Sequence, residues 1–402
     1  MTFRARRGFV AAATVVIVCL LGAGYEASQA PKPAAPAPKP AAPAAPAASG
    51  AAQGQPPMAE NVYLNVQVLK GIPVDQFNDA MGMFASALLL DCVGCHHGTI
   101  TSDPKAFAIS TPRIERARQM VVMMNNINRL YFGGQKRVTC FTCHAGDPTP
   151  EPSPSLRLQY SELITDTTSF EFFPDIAAPP AEKVLARYIE ASGGAKALAS
   201  LRSFAATGTY LGFETSDTEV PFEAVVRAPE QRAEKAETGA NDLLWYFNGN
   251  QAGRYHPDTP IPLIQFTGWS LIGSKIDTKS FFPTELAKAF QTFQMGYGEV
   301  EGKETIVARG INKGESPVNL HFDSATGLLV RLVRWVDTLA GPVPVQIDYS
   351  DFRDVAGVKM PFAWTRTWTN GQGIIKIKDI RPNVQVNDAQ FARPNVPTTS
   401  LR

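Results

Sequence analysis

Two short stretches decide how this chain is read: "CVGCHHG" at residues 92–98 and "CFTCHAG" at residues 140–146. Each is a Cys-x-x-Cys pair followed at once by histidine. Four of the five cysteines stand in these motifs, and the fifth, Cys19, lies alone near the N-terminus. A disulfide framework would scatter its cysteines more widely. Zinc, a redox dithiol and covalent haem remain. Two Cys-x-x-Cys knuckles can close a tetrahedral zinc site, but zinc does not need the following histidine. With 5 histidines in 402 residues, chance places one behind both pairs on the order of once in several thousand trials. A thioredoxin-like dithiol should follow a strand in a βαβ unit, and neither motif does.

Covalent haem explains the adjacency. Two thiols at this spacing add to the vinyl groups of the porphyrin, and the next residue sets its imidazole beneath the iron. This assigns two covalently bound c-type haems. Cys92, Cys95, Cys140 and Cys143 form the thioethers, and His96 and His144 are the proximal iron ligands.

Each motif is preceded by a methionine-bearing helical pattern. In "VDQFNDAMGMFASALLLDC" (74–92), Phe77, Met81, Phe84 and Leu88 make one stripe, and Pro73 can start the helix. In "TPRIERARQMVVMMNNINRLYFGG" (111–134), Ala117, Met120, Met124, Ile127 and Tyr131 make the stripe. Thr111 is the expected cap, Pro112 the first helical residue and Gly133 the stop. A methionine in such a stripe is ordinarily core packing. Spare histidine is scarce here, however, and His97 is tied beside His96. Met81 and Met120 are therefore the candidate distal ligands, with Met83 and Met123 as alternates. His/Met coordination fills the iron and suits electron transfer.

Outward from the motifs, residues 1–30 read as an export signal or a retained N-terminal anchor. Arg4, Arg6 and Arg7 precede an apolar run over 9–21 that is short for a membrane span. Cys19 is an ordinary member of that run. Residues 31–57 are a proline- and alanine-rich linker favouring polyproline II. The motif-bearing segment occupies 58–150, and a proline-rich connector follows at 151–180. Residues 181–402 open with an amphipathic helix, "AEKVLARYIEASGG", and continue as short alternating runs. Asn248-Gly249 and the 323–327 turn are among their punctuation. The expected fold is multidomain α+β: a small helical dihaem domain, then a mainly antiparallel, half-barrel-like sheet. Lys plus Arg at 38 against Asp plus Glu at 37 leaves no field directed at nucleic acid.

"MGMFASALLLDCVGCH", the M-x-x-M-x-x-x-I-N pattern at 120–128 and "VTCFTCHAG" resemble the cytochrome c subunit of photosynthetic reaction centres, over about residues 59–150. That family repeats helix, turn and Cys-x-x-Cys-His, with a helix methionine as distal ligand. The resemblance places Met81 and Met120 at the ligand positions. It implies re-reduction of a photo-oxidised donor and a membrane reaction centre as partner. The family typically carries four haems, whereas two motifs exist here. "DSATG" and "YSDFRDVAGVKMPF" resemble the half-barrel of lipoprotein-sorting proteins, which implies an apolar ligand at the C-terminal domain.

The expected function is single-electron transfer between redox protein partners, periplasmic or otherwise outside the cytoplasm, with the N-terminal segment as an inner-membrane tether. Two alternatives stand beside it. One is a dihaem peroxidase, which needs an open iron site and a nearby acid or base. The other is an apolar-ligand carrier with a redox module, in which Trp245, Phe247, Trp269 and Trp335 line a cavity.

Overall fold

The structure is a computed structural model that describes residues 56–101, 103–153, 167–238 and 242–395. The export-signal and anchor reading, with nearly all of the 31–57 linker, lies outside the described residues.

Local signals set the helices around the motifs. After α1 (Ala59–Val62), α2 (Val74–Leu88) begins past extended Pro73 and ends at Leu89 in the left-handed region, φ 46°. The single turn α3 (Cys92–Cys95) is capped by Asp91, whose carboxylate accepts the Gly94 N–H at 2.8 Å. α4 (Pro112–Tyr131) starts as expected, with Thr111 accepting from the Ile114 N–H and Pro112 at the first position. α5 (Cys140–His144) is entered through a reciprocal cap between Thr139 and Thr142. Such caps satisfy N–H groups that a helix start leaves unpaired.

Beyond the connector come α6 (Ala181–Ala191) and α7 (Gly194–Ser200). A first run of strands follows: β1 (Ser203–Gly212), β2 (Val220–Arg227), β3 (Gln231–Ala236), β4 (Leu243–Phe247), β5 (Ala252–Tyr255) and β6 (Leu263–Phe266). Helices α8 (Gly268–Lys279) and α9 (Pro283–Ala287) interrupt the strands. The second run is β7 (Thr292–Val300), β8 (Lys303–Ile311), β9 (Val318–Asp323), β10 (Leu329–Thr338), β11 (Gly341–Val355), β12 (Val358–Trp368) and β13 (Gly371–Pro382). The 13 strands of the described residues form one open sheet in the order β6-β5-β4-β3-β2-β1-β13-β12-β11-β10-β9-β8-β7. It is two antiparallel meanders joined where β1 pairs with β13, Ala206 opposite Ile380. The architecture is the α+β arrangement expected, with helices first and an antiparallel sheet after.

Side chains alternate across a strand, so the two faces of β10 have different partners. Leu332 joins the main core with Tyr188 of α6, Ile276 of α8 and Leu286 of α9. Arg334, on that same face, forks onto Asp277 of α8 through two 2.8 Å bonds. The opposite face carries Arg331 and Trp335, which the connector covers. Thr167 accepts from Arg331 at 2.8 Å, and Phe170 meets the Trp335 ring edge-on at 5.5 Å. Arg309 lies over the rings of Phe170, Phe172 and Trp335, a cation–π arrangement.

The helical segment is bound into the helix-covered face. Ala80 and Met83 of α2 share one buried cluster with Val336 of β10, Val343 of β11 and Ala340 in the turn between them. Val74 does the same with Ile261 and Ile264 at β6. Asp75 accepts the Thr267 N–H at 2.6 Å and its hydroxyl at 2.9 Å, so α2 supplies the N-terminal cap of α8. Gly82 permits this closeness, because a Cβ there would lie 2.6 Å from Thr369 Oγ1 in the β12–β13 turn. A glycine inside a helix costs about 1 kcal/mol, and here the close approach accounts for it. Burying Met83 alone contributes about 1.5–3 kcal/mol.

Candidate haem centres

The first motif opens onto a cavity of about 370 Å³. Cys92, Cys95 and His96 lie on one side of it, and Met81, Phe84 and Leu88 of α2 on another. α4 contributes Ile114, Ala117, Arg118 and Val121. All four residues expected at the first site therefore line one largely apolar space. Met83 does not line it. It is 4 % exposed and packs with Ala340 and Val343, its methyl directed at Gly341. That is the core-packing role.

The motif is held at both ends. The Thr111 hydroxyl donates to Cys95 O at 2.7 Å, and Arg113 donates to Gly94 O, so the start of α4 grips the α3 turn. Phe107 meets the His96 ring edge-on at 4.9 Å. Burial lowers the His96 pKa, the Phe107 backbone partly opposing it, which favours the neutral imidazole that a metal requires. Burial raises the Cys92 and Cys95 thiols, and pushes Cys140 up to about 11. These are protonated thiols, unlike the depressed thiolates of dithiol enzymes.

The second motif is more exposed. Cys143 is exposed, and Cys140 is half-buried against the Met83 cluster. His144 Nδ1 lies 2.9 Å from the Asp147 carbonyl oxygen. As a donor there, Nδ1 leaves Nε2 free for a metal, the usual way a ligating histidine is oriented. Gly146 N–H donates to Ala87 O at 2.9 Å, tying the motif to α2. Met120 is half-buried on α4, about a third of a turn from the face that lines the first cavity. Met123 is exposed on the same helix. Met120 is outside the first cavity, and α4 carries two further sulfurs, Met123 on its exposed side and Met124 at 5 % exposure in its buried side. Val122, Leu130 and Tyr131 of α4 and Phe141 of α5 are exposed apolar side chains.

The donor sets fit haem. Each motif offers two thiols and an imidazole at the required spacing, and the first has an apolar chamber with a thioether across from it. The two cysteine pairs are not gathered into a zinc cluster. Among the described residues, no group of three or more His, Cys, Asp and Glu is close enough to hold a metal ion. The four motif cysteines are unbridged.

Two positioning features were missed in the sequence. Asn128 is 5 % exposed, accepts from the Val138 and Arg137 N–H groups and donates to Val138 O. It clasps the approach to Cys140. The only signal was a polar residue beside the stripe. The second feature is the wall of the first cavity formed by Arg254, Thr259, Pro260, Ile261 and Ile264, in and between β5 and β6. No local pattern announces it. The C-terminal histidines are elsewhere: His321 is buried in β9, and His256 Nε2 lies 3.3 Å from Glu214 O. Of the aromatic residues considered for a ligand cavity, Phe247 and Trp335 are buried core, Trp245 packs against the main core, and Trp269 packs on the Met83 cluster.

Comparison with known proteins bears on the motif-bearing segment. Residues 14–158 match the sequence model of the family described as photosynthetic reaction centre cytochrome C subunit. The chain is 31% identical over 101 residues to the photosynthetic reaction center cytochrome c subunit of Thermochromatium tepidum, an alignment covering 25% of each chain. It is 30% identical over 105 residues to the corresponding subunit of Roseobacter denitrificans, covering 24% of this chain and 28% of that one. The chain thus spans about a quarter of the length of the curated relatives it matches. Among solved structures, similarity is found to a DUF1329 family protein from Desulfovibrio piger, at 12% identity and TM-score 0.36, covering 53% of this chain and 97% of that one. A LolA superfamily protein from Nitrosomonas europaea is similar at 11% identity and TM-score 0.34, covering 54% and 98%. Among the described residues, no helix is long and apolar enough to cross a membrane.

Proposed function

We propose that this chain is a dihaem c-type cytochrome that passes single electrons between redox proteins outside the cytoplasm. The observation carrying this reading is the convergence of Met81, Cys92, Cys95 and His96 on one apolar cavity. Cys92 and Cys95 tether the first haem and Cys140 and Cys143 the second. His96 and His144 are the proximal ligands, with Met81 and Met120 distal and Met123 the alternate to Met120. Bound haem supplies a reversible one-electron iron couple. The rest is done by the chain. The Asp147 carbonyl fixes the His144 ring, the Thr111 and Thr139 caps fix the helix starts, and apolar residues of α2 and α4 exclude water from the first site.

The relatives are named as subunits of photosynthetic reaction centres, and the partner proposed here is of that kind, with the protein held at the outer face of the inner membrane. The test is expression of the full chain in a host competent in cytochrome maturation. Two haems per chain, both low-spin and reducible, together with electron donation to isolated reaction-centre membranes, are expected. A colourless product with free thiols or bound zinc overturns the reading. Rapid turnover of hydrogen peroxide with a high-spin iron moves it to the peroxidase alternative.

A further inference from the structure

The first cavity has a wall that the matched segment does not supply. Arg254 on β5 lines it together with Ile261 and Ile264, well beyond residue 158, where the family match ends. The strand register sets Arg254 opposite Ile264, so the cation and the apolar wall belong to one hairpin. That hairpin is fixed to the helical segment, since Ile261 and Ile264 pack with Val62 and Val74. The position of Arg254 over the cavity therefore follows from core packing.

Among the described residues, the Arg254 guanidinium has no hydrogen bond and no ion-pair partner. The other arginine lining the cavity is committed: Arg118 donates to Glu115 at 2.6 Å and to Asn65 O at 2.9 Å. Asp79 feels the Arg254 charge, but its carboxylate accepts from Ser270 at 3.1 Å. An uncommitted guanidinium at the wall of an apolar chamber calls for an anionic partner, and a carboxylate is the group its fork fits best. Haem carries two propionates.

We infer that Arg254, contributed by the C-terminal sheet, is the propionate partner of the first haem, which makes the sheet a structural wall of that redox site. The inference rests on the haem reading above and deepens it. Arg254 is a positioning residue: a cation beside the porphyrin favours the reduced iron, which carries one positive charge fewer.

The test is spectroelectrochemical titration of the full-length haem-loaded protein as wild type, Arg254→Gln and Arg254→Lys. In Arg254→Gln, one of the two redox waves moves to lower potential by about tenfold in the reduction equilibrium, about 59 mV for a one-electron couple. The other wave stays in place, haem content remains two per chain, and Arg254→Lys restores most of the shift. Two unmoved waves in a folded, haem-replete Arg254→Gln protein overturn the inference and leave the haem reading intact. A colourless wild type overturns both. If Arg254→Gln does not fold, resonance Raman spectroscopy of the wild type decides. A propionate bending band of the strongly hydrogen-bonded kind from one haem supports the assignment, and its absence overturns it.

Discussion

Asn128 holds Val138 by both of its backbone groups, accepting from its N–H at 2.9 Å and donating to its carbonyl at 2.7 Å. One amide on α4 thereby fixes the backbone two residues ahead of Cys140. Asn128→Leu takes the partner from three backbone groups in a half-buried place. An unsatisfied buried group costs about 1–3 kcal/mol. The expected loss is about 2–4 kcal/mol in denaturant unfolding. One haem should also lose its low-spin spectrum while the other is unaffected. Unchanged stability would remove the clasp from this account.

Met81 lines the first cavity and Met83 does not, although both touch one buried cluster, so they separate the proposed ligand from packing. Met81→Leu should turn one haem high-spin with little change in stability. Met83→Leu, a volume-conserving swap, should cost less than about 1.5 kcal/mol and leave both spectra as they were. Met83→Ala should cost about 2–5 kcal/mol, again without a spectral change. Optical and electron paramagnetic resonance spectra of the three variants check the pair, and a spectral change in Met83→Leu refutes the assignment.

The fork between Arg334 and Asp277 joins β10 to α8, and Asp277 lies below the usual carboxylate range although burial opposes this, because Arg334 holds it charged. Arg334→Ala abandons a buried carboxylate, and breaking such a pair costs about 3–5 kcal/mol. The double change Arg334→Met with Asp277→Leu should recover much of that loss. Equilibrium unfolding of both proteins measures the difference, and equal losses would contradict it.

His321 supplies a pH dependence. It is 2 % exposed, its Nδ1 lies 3.3 Å from Thr305 Oγ1, and burial with Arg331 nearby lowers its pKa to about 3. The unfolded chain takes up a proton below about pH 6.5, which the folded chain refuses. This contribution to stability is full above that value and declines as pH falls toward 3, by about 1.4 kcal/mol per pH unit. Between pH 7 and 5, wild type should lose about 2 kcal/mol more than His321→Gln. Parallel pH profiles for the two proteins would count against the burial argument.

Much of the helical half was legible because caps and stops are local. Thr111, Pro112 and Gly133 bracket α4 as their chemistry requires, and Val184 and Tyr188 are the buried face of α6. The turns at Asn248-Gly249 and 323–327 fall between strands as expected, with Gly249 and Gly327 at positive φ. β3 lacks the apolar alternation of a half-buried strand for a physical reason. Its inward positions are Arg232, Glu234 and Ala236, so two polar residues occupy places where alternation looks for apolar ones. Those two form a buried ion pair, and Arg366 of β12 approaches Glu234 as well. In the site, the motifs and Met81 could be read from spacing. The β5–β6 wall could not, since it depends on the register of two meanders and on where α2 docks.

The lateness of that wall in the sequence has a consequence for biogenesis. A ribosome delivers Cys92 and Cys95 long before Arg254, Ile261 and Ile264. Until those residues arrive and the hairpin settles on α2, the chamber stands open to any attachment machinery. Docking of the C-terminal half then adds one wall to the chamber, so the proposed cofactor has the widest approach to Cys92 and Cys95 before the β5–β6 hairpin is in place.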